Sequence, residues 1–393
     1  MEIKIMEKIR IGVIGIGSMG SSHVIQLDEG KVPNAEMTAV CDIDPSRLEW
    51  AKEFNPNILR YDDHKKLLAD KVVDMVIIAT PHYLHPVIGI DALEAGVHVL
   101  SEKPLGVYTK QAKEFVEKAE ETGNKLVVML NCRPEPYYRK IREMVQGGVL
   151  GELKRTVWII TNWYRTQDYY DNGGWRATYS CEGGGVLINQ SPHQLDLWQW
   201  IYGMPKRVRA FAKFGRYHDI EVEDEVTAYT EYEDGSTGVF ITSTGEFPGT
   251  NRLEITGSKG KLVYENGKLL FYKLSMDERE YCFSATDGFG SIEYEVEEIF
   301  PEGVGKGHRQ IIQNFCNHLQ FGEELISPGR DGLNSLALSN AMILSQWKND
   351  WVEIPNDGEE YWELLQEHIK NSKPKKRVIS KVADLSNTFN SKA

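Results

Sequence analysis

The sequence predicts an α/β protein built on two sheets, and three observations predict it. An apolar run at residues 9–14 feeds directly into Gly15, Gly17 and Gly20; apolar and amphipathic stretches then alternate as far as about residue 130; beyond about residue 150 strand-like segments joined by hairpin turns take over. The first two are the pattern of a doubly wound parallel sheet, the third that of an antiparallel sheet.

Taken in order, residues 9–14 read as a strand that ends in G-x-G-x-x-G and opens a helix. The first glycine permits the tight turn, the second lets the backbone approach a pyrophosphate, and the third lets helix and strand pack closely. The phosphates then sit on the helix N-terminus, at the backbone of Ser18 and Met19. A second strand at 37–41 ends at Asp42, roughly 20 residues past the third glycine, where a carboxylate binds the ribose 2′-hydroxyl. This is a Rossmann dinucleotide site, and Asp42 favours NAD over NADP; Arg47, a few positions on, is the residue suited to a 2′-phosphate. Further strands are expected at 72–79, 98–100 and 125–130, with a helix over 109–122 whose Ala112, Phe115, Val116 and Ala119 form one stripe and whose stop is Gly123.

Strands of the second sheet are expected at 154–164, 207–214, 226–232, 238–244, 252–256, 261–264 and 269–272, with Asp234-Gly235 and Asn266-Gly267 as hairpin turns. Helical patterns at 308–321 and 332–348 are expected to pack on one face of that sheet. The division is therefore an NAD-binding domain at 1–130, an α+β domain for substrate binding and oligomerisation at 131–370, and a polar tail at 371–393. A basic cluster, Lys373, Lys375, Lys376 and Arg377, makes that tail a solvated or oligomer-clasping segment.

Composition narrows the function. A net charge of -13 argues against a nucleic-acid footprint and against an anionic membrane. A neutral or weakly charged small molecule fits better. The five cysteines, Cys41, Cys132, Cys181, Cys282 and Cys316, are odd in number and widely spaced, so they read as reduced thiols of a cytoplasmic protein and not as a metal site. No apolar stretch reaches the roughly 20 residues of a membrane span, and MEIKIMEKIRIG lacks a signal-peptide core.

Residues at the carboxyl ends of parallel strands face the ligand crevice, which puts Lys103, with Glu102 beside it, next to the cofactor. Further on, Asn189, His193 and Asp196 share a face if one helix covers them, whereas Ser191 and Pro192 look like a fresh helix start. The 162–176 segment is rich in rings and amides, with Asn162, Trp163, Tyr164, Tyr169, Trp175 and Arg176. Flat rings against pyranose C–H faces and amides against hydroxyls are what carbohydrate recognition requires. His308 opens a helix that reaches the same pocket.

GVIGIGSMG, ATPHYLH, Glu102-Lys103-Pro104 and GGG followed by His193 and Asp196 together resemble the glucose-fructose oxidoreductase, inositol dehydrogenase and MocA family (Gfo/Idh/MocA), across both domains and in the family's order. The resemblance implies a Rossmann domain, an open-faced, mostly antiparallel sheet used for homo-oligomerisation, and NAD(P)-dependent oxidation of a sugar, inositol or related polyol. It implies a catalytic set of the lysine of Glu-Lys-Pro with an aspartate and a histidine four residues later. Lys103 and His193 match; Asn189 stands where the aspartate would be. It also places Thr80 and His85 on the nucleotide side and Trp175 with Arg176 near substrate and nicotinamide.

Hydride leaves a carbinol only if the hydroxyl proton leaves too. His193 is expected to take that proton while Lys103 stabilises the developing alkoxide, or the two exchange roles. Asn189 would orient the sugar without charge. The expected function is an NAD-dependent dehydrogenase of a secondary hydroxyl, at C3 of a hexopyranoside. The alternatives are an inositol dehydrogenase, a redox-neutral NAD-dependent glycoside-cleaving enzyme and, last, a non-catalytic NAD-binding regulator.

Overall fold

The computed structural model describes residues 7–372 together with 377 and 378. Most of the 371–393 tail, including Lys373, Lys375 and Lys376, lies outside the described residues; Arg377 stands 3.8 Å from Asp171.

The first lobe alternates β1 (Ile9–Ile14), α1 (Ser18–Asp28), β2 (Ala35–Cys41), α2 (Pro45–Phe54), β3 (Leu59–Tyr61), α3 (His64–Ala69), β4 (Met75–Ile78), α4 (Leu84–Glu94), β5 (His98–Ser101), α5 (Thr109–Thr122) and β6 (Leu126–Val128). Its six strands are parallel, in the order β3-β2-β1-β4-β5-β6. That is the dinucleotide-binding order, whose switch point lies between β1 and β4. Val13, Met75, Ile77 and Leu100 are fully buried, as strands covered on both faces must be.

After α6 (Pro136–Gln146) come β7 (Leu153–Ile160), α7 (Gln167–Asp171) and α8 (Pro192–Tyr202), then β8 (Arg207–Phe214), β9 (Glu223–Glu231), β10 (Thr237–Ser243), β11 (Asn251–Gly257), β12 (Gly260–Glu265) and β13 (Lys268–Leu274). The chain closes with α9 (Glu278–Ser284), β14 (Tyr294–Ile299), α10 (Gly307–Phe321), α11 (Gly332–Lys348), β15 (Val352–Glu353) and α12 (Glu359–Lys370). The second sheet runs β14-β13-β12-β11-β7-β10-β9-β8-β15. Its pairs are antiparallel except β7 with β10. Asn266 and Gly267 both have positive φ, 52° and 72°, the backbone of a tight hairpin turn. One face buries Trp158, Ile160, Phe240 and Ala228 against α8 and α11; the other leaves Val157, Ile159, Val239, Ile241 and Tyr229 only partly covered or exposed.

Three expectations change. The strand expected at 154–164 stops at Ile160, and the residues after it form a loop. Several elements go unforeseen, β3, α6, α7, α9, β14, β15 and α12; in α9 and β14 nearly every residue is exposed, so no buried stripe marks them. Helix α10 does not pack on the second sheet. Its Ile311, Ile312, Phe315 and Cys316 join Ile11, Val13, Val127 and Met129 in one core, and Ser327 Oγ beyond it donates to the Val128 carbonyl at 2.7 Å. The 131–370 segment therefore returns to complete the first lobe.

Candidate active site

The glycine turn shows three separate requirements. Gly15 has φ +84°, and a Cβ there would lie 2.8 Å from the Ala79 carbonyl; at Gly20 it would lie 1.9 Å from the Gly15 carbonyl oxygen. A Cβ at Gly17 would meet nothing within 4 Å. That is open space at the N-terminus of α1, with Ser18 and Met19 in its first turn, where a pyrophosphate fits. Asp42 Oδ2 accepts from the Ile16 N–H at 2.8 Å, so the acidic end of β2 lies against the turn. Arg47 is committed elsewhere: its Nε donates to the Ile16 carbonyl at 2.8 Å, its Nη2 donates to Ser21 Oγ, and it stacks on Trp50. With Arg47 so tied, the pocket holds a carboxylate for a free 2′-hydroxyl. The residues present fit NAD.

The ends of β4 and β5 are laced together beside it. His85 sits between two carbonyls, Pro104 at 2.7 Å from Nδ1 and Thr80 at 2.8 Å from Nε2. It fixes the start of the loop that carries Lys103. Thr80 Oγ1 is buried and has no partner among the described residues. Glu102 does not point into the cleft: its Oε1 lies 2.8 Å from His23 Nε2 on α1. Burial pushes its pKa up, yet the His23 bond and the charges of His23, His308 and Lys103 outweigh that and hold it at about 2. Glu102 thus ties α1 to the loop that carries Lys103.

Lys103 Nζ crosses to the second lobe and donates to the Asn189 backbone carbonyl at 2.7 Å. Burial lowers its pKa; Glu102 and Glu182 oppose that, and Arg176 adds to it. His193 is 8% exposed, and its Nδ1 has no partner among the described residues. Burial, then the charge of Lys103, holds its pKa well below the ordinary value of 6.5. At neutral pH it is a neutral imidazole beside a cation. Helix α8 starts afresh at Pro192, with Ser191 as its cap, which places His193 in the first turn, just after the Asn189 carbonyl that Lys103 reaches. Asn189 precedes the helix, so its backbone and not a shared helix face reaches Lys103. Asp196, one helical turn on, is buried in an ion pair with Arg133 at 2.7 Å and belongs to the packing beneath the site.

His308 opens α10 within the same cluster, with Nδ1 at 3.2 Å from Asn131 Nδ2 and its ring 5.6 Å from that of His23. Burial outweighs the opposing Glu102 carboxylate and, with the Lys103 ammonium, holds its pKa down at about 4. Trp175 packs edge-on against His82 at 5.4 Å, and Arg176 lies over both Trp175 and Tyr169 at 4.5 Å while donating to Tyr169 Oη at 2.8 Å. Asn162 follows β7, with its Oδ1 buried and without a partner among the described residues, as is Gln190 Oε1. Tyr164 is farther out, 44% exposed and against Phe247.

Two residues at this site are not singled out by the sequence. His82 Nδ1 bonds to the Glu182 carbonyl at 2.9 Å, docking the first lobe onto the loop before GGG. Glu182 itself is 2% exposed, and its carboxylate accepts from the Ala177 N–H and from Asn189 Nδ2. An acidic residue directly before three glycines was the available signal. Gly183 and Gly185 are required there: Cβ atoms would strike Val107 at 2.2 Å and the Glu223 carbonyl at 2.0 Å. Among the described residues no group of three or more His, Cys, Asp or Glu is arranged for a metal ion, and no helix is long and apolar enough to cross a membrane.

Residues 9–130 match the family model for an oxidoreductase NAD-binding Rossmann fold, and residues 138–263 match its C-terminal domain model. The chain is similar to levoglucosan dehydrogenase of Pseudarthrobacter phenanthrenivorans, 24% identical and covering 89% of this chain and 99% of that one. It is similar to myo-inositol 2-dehydrogenase of Thermotoga maritima, 25% identical over 84% of this chain and 94% of that one. Among solved structures it resembles the WlbA dehydrogenase from Bordetella pertussis in complex with NADH and UDP-GlcNAcA, with a TM-score of 0.75, 26% identity, and coverage of 89% of this chain and 100% of that one.

Proposed function

This chain belongs to the Gfo/Idh/MocA family of NAD-binding oxidoreductases, and we propose that it oxidises a secondary hydroxyl of a sugar, glycoside or cyclic polyol to a ketone, with C3 of a hexopyranoside as the favoured position. NAD, when bound, supplies the hydride acceptor. The chain's own residues do the rest. Gly15, Gly17, Gly20 and Asp42 hold the dinucleotide, and Thr80, His85 and Glu102 fix the loop beside it.

One observation carries the reading: Lys103 of the first lobe donates to the Asn189 carbonyl of the second at 2.7 Å, just before the helix whose first turn carries the buried His193. The imidazole has a free nitrogen to take the hydroxyl proton. The ammonium stabilises negative charge as it develops on the oxygen. Arg176, Trp175 and Tyr169 supply a flat cationic wall, and Asn162 and Gln190 present buried acceptors to sugar hydroxyls. His82, bonded to the Glu182 carbonyl at 2.9 Å, docks the first lobe on the loop before the three glycines.

The test is NADH formation with a panel of glucosides, inositols and anhydrosugars. Turnover of glucosides with a 3-keto product supports the reading; turnover only of hydroxy acids or aldehydes overturns it. Turnover of inositol alone, or cleavage of a glycoside without net NADH, would replace the hexopyranoside assignment with one of the alternatives.

The same reading makes the enzyme a cytoplasmic homo-oligomer. Its described cysteines are all unpaired. On the second sheet, Val239 lies beside Val157 and Tyr229 and Ile241 beside Ile159, a half-covered apolar stripe of the kind that subunits bury. Ile241→Glu should dissociate the assembly in sedimentation; an unchanged mass would remove this face from the interface.

A further inference from the structure

Glu182 is a carboxylate 2% exposed, and a charge so buried needs compensation. Its partners include two neutral donors, the Ala177 N–H and Asn189 Nδ2, and the Arg176 guanidinium, which stands 3.9 Å away. Asn189 links it to the reacting group: the side chain of Asn189 donates to Glu182 while its backbone carbonyl accepts from Lys103 Nζ at 2.7 Å. The backbone of the loop is shaped for that contact. Ala177 has φ +56°, an uncommon conformation for a residue with a Cβ, and its N–H lies on the carboxylate.

We propose that Glu182 is a positioning residue of this site, supplying the fixed negative charge opposite the Lys103 ammonium and, through Asn189, setting where that ammonium points. The inference deepens the dehydrogenase reading and rests on it for its catalytic meaning. It also gives the neutral Asn189 a role, since an amide can carry an anion's influence to Lys103 without being the anion.

The charged and titratable groups around Lys103 are Glu102 on its own loop, Cys132 after β6, Arg176 and Glu182 on the 175–183 loop, His82 and His85 before α4, His193 on α8 and His308 on α10. Of these, Glu102 and Glu182 are the carboxylates, and Glu102 is engaged by His23. Removing the Glu182 charge therefore leaves Glu102, shared with His23, as the carboxylate near Lys103, facing Arg176 and the imidazoles.

The experiment is competitive acylation of the ε-amine, read at Lys103 by mass spectrometry across pH, which needs no substrate. Glu182→Gln keeps an acceptor for Ala177 and removes the charge. It should move the titration of Lys103 down by about one unit or more, and moving a carboxylate one contact along, in Glu182→Gln/Asn189→Asp, should bring it back. Arg176→Gln should move it up, which keeps the test available if Glu182→Gln does not fold. The alkaline limb of kcat/KM should follow the same shifts. An unmoved Lys103 in folded Glu182→Gln, or a downward shift in Arg176→Gln, overturns the proposal. If the labelling shifts appear but no sugar or polyol is oxidised, the positioning role stands and the dehydrogenase reading fails.

Discussion

The two walls of the cleft are made of different material. On the nucleotide side the ligand site is backbone: a turn that only glycine can follow at Gly15, an open approach at Gly17, and a helix packed to contact at Gly20. On the proposed substrate side it is side chains, with Lys103, His193, His308 and Arg176 drawn from four separate segments. A backbone site tolerates almost no change of residue type and keeps its spacing in the sequence. A side-chain site keeps no spacing, since any loop of the right length can deliver an imidazole.

The sharpest way to break this contrast is on the substrate side. Lys103→Ala and His193→Ala should each lower kcat by about 10²-fold or more while leaving NAD affinity, measured by fluorescence titration, nearly unchanged; full turnover in His193→Ala would remove it as the base. Next in size, Asp42→Ala should weaken NAD by about 10-fold to 100-fold with kcat at saturation little changed, and equal weakening of NADP would show that Asp42 does not select between them. The glycines separate fold from function within one turn. Gly20→Ala should lower Tm and NAD affinity together, because its Cβ would collide with the Gly15 carbonyl, whereas Gly17→Ala should weaken NAD by about tenfold and leave Tm alone. A matched fall in Tm for both would mean that the turn is a folding element only.

The smallest expected effect concerns pH and the floor of the substrate side. Glu223 accepts from the N–H groups of Gly185 at 2.9 Å and Leu187 at 3.0 Å. Burial outweighs these bonds and raises its pKa from 4.5 to about 7. A carboxyl raised on folding contributes stability that is complete below its unfolded pKa and is lost as pH climbs through the folded one. Chemical denaturation should therefore show a loss of order 1 kcal/mol or more between pH 4.5 and about 7, absent in Glu223→Gln. A variant with the same pH profile would place that titration elsewhere.

Legibility in the sequence follows the same division. The parallel sheet, its glycine turn and Asp42 can be read because each rests on local periodicity or fixed spacing. Lys103 is reachable because it ends a strand of that sheet. Pro192 marks one of two ways to begin a helix, and α8 does begin there. Glu182 and His82 stay hidden because what matters in them is a contact across 100 residues, which no periodicity encodes. The placement of α10 escapes for a related reason: its apolar stripe says that one face is buried, not against which sheet.

That helix has a consequence for how the molecule is made. Ile311, Phe315 and Cys316 are the outer layer over Ile11, Val13 and Val127, yet they leave the ribosome only after every strand of the second sheet except β15 has been synthesised. A fragment cut where the motifs suggest, near residue 130, would leave those strand residues wetted and prone to associate. The half that opens the chain is sealed by one of its last pieces, so neither half is a portable module.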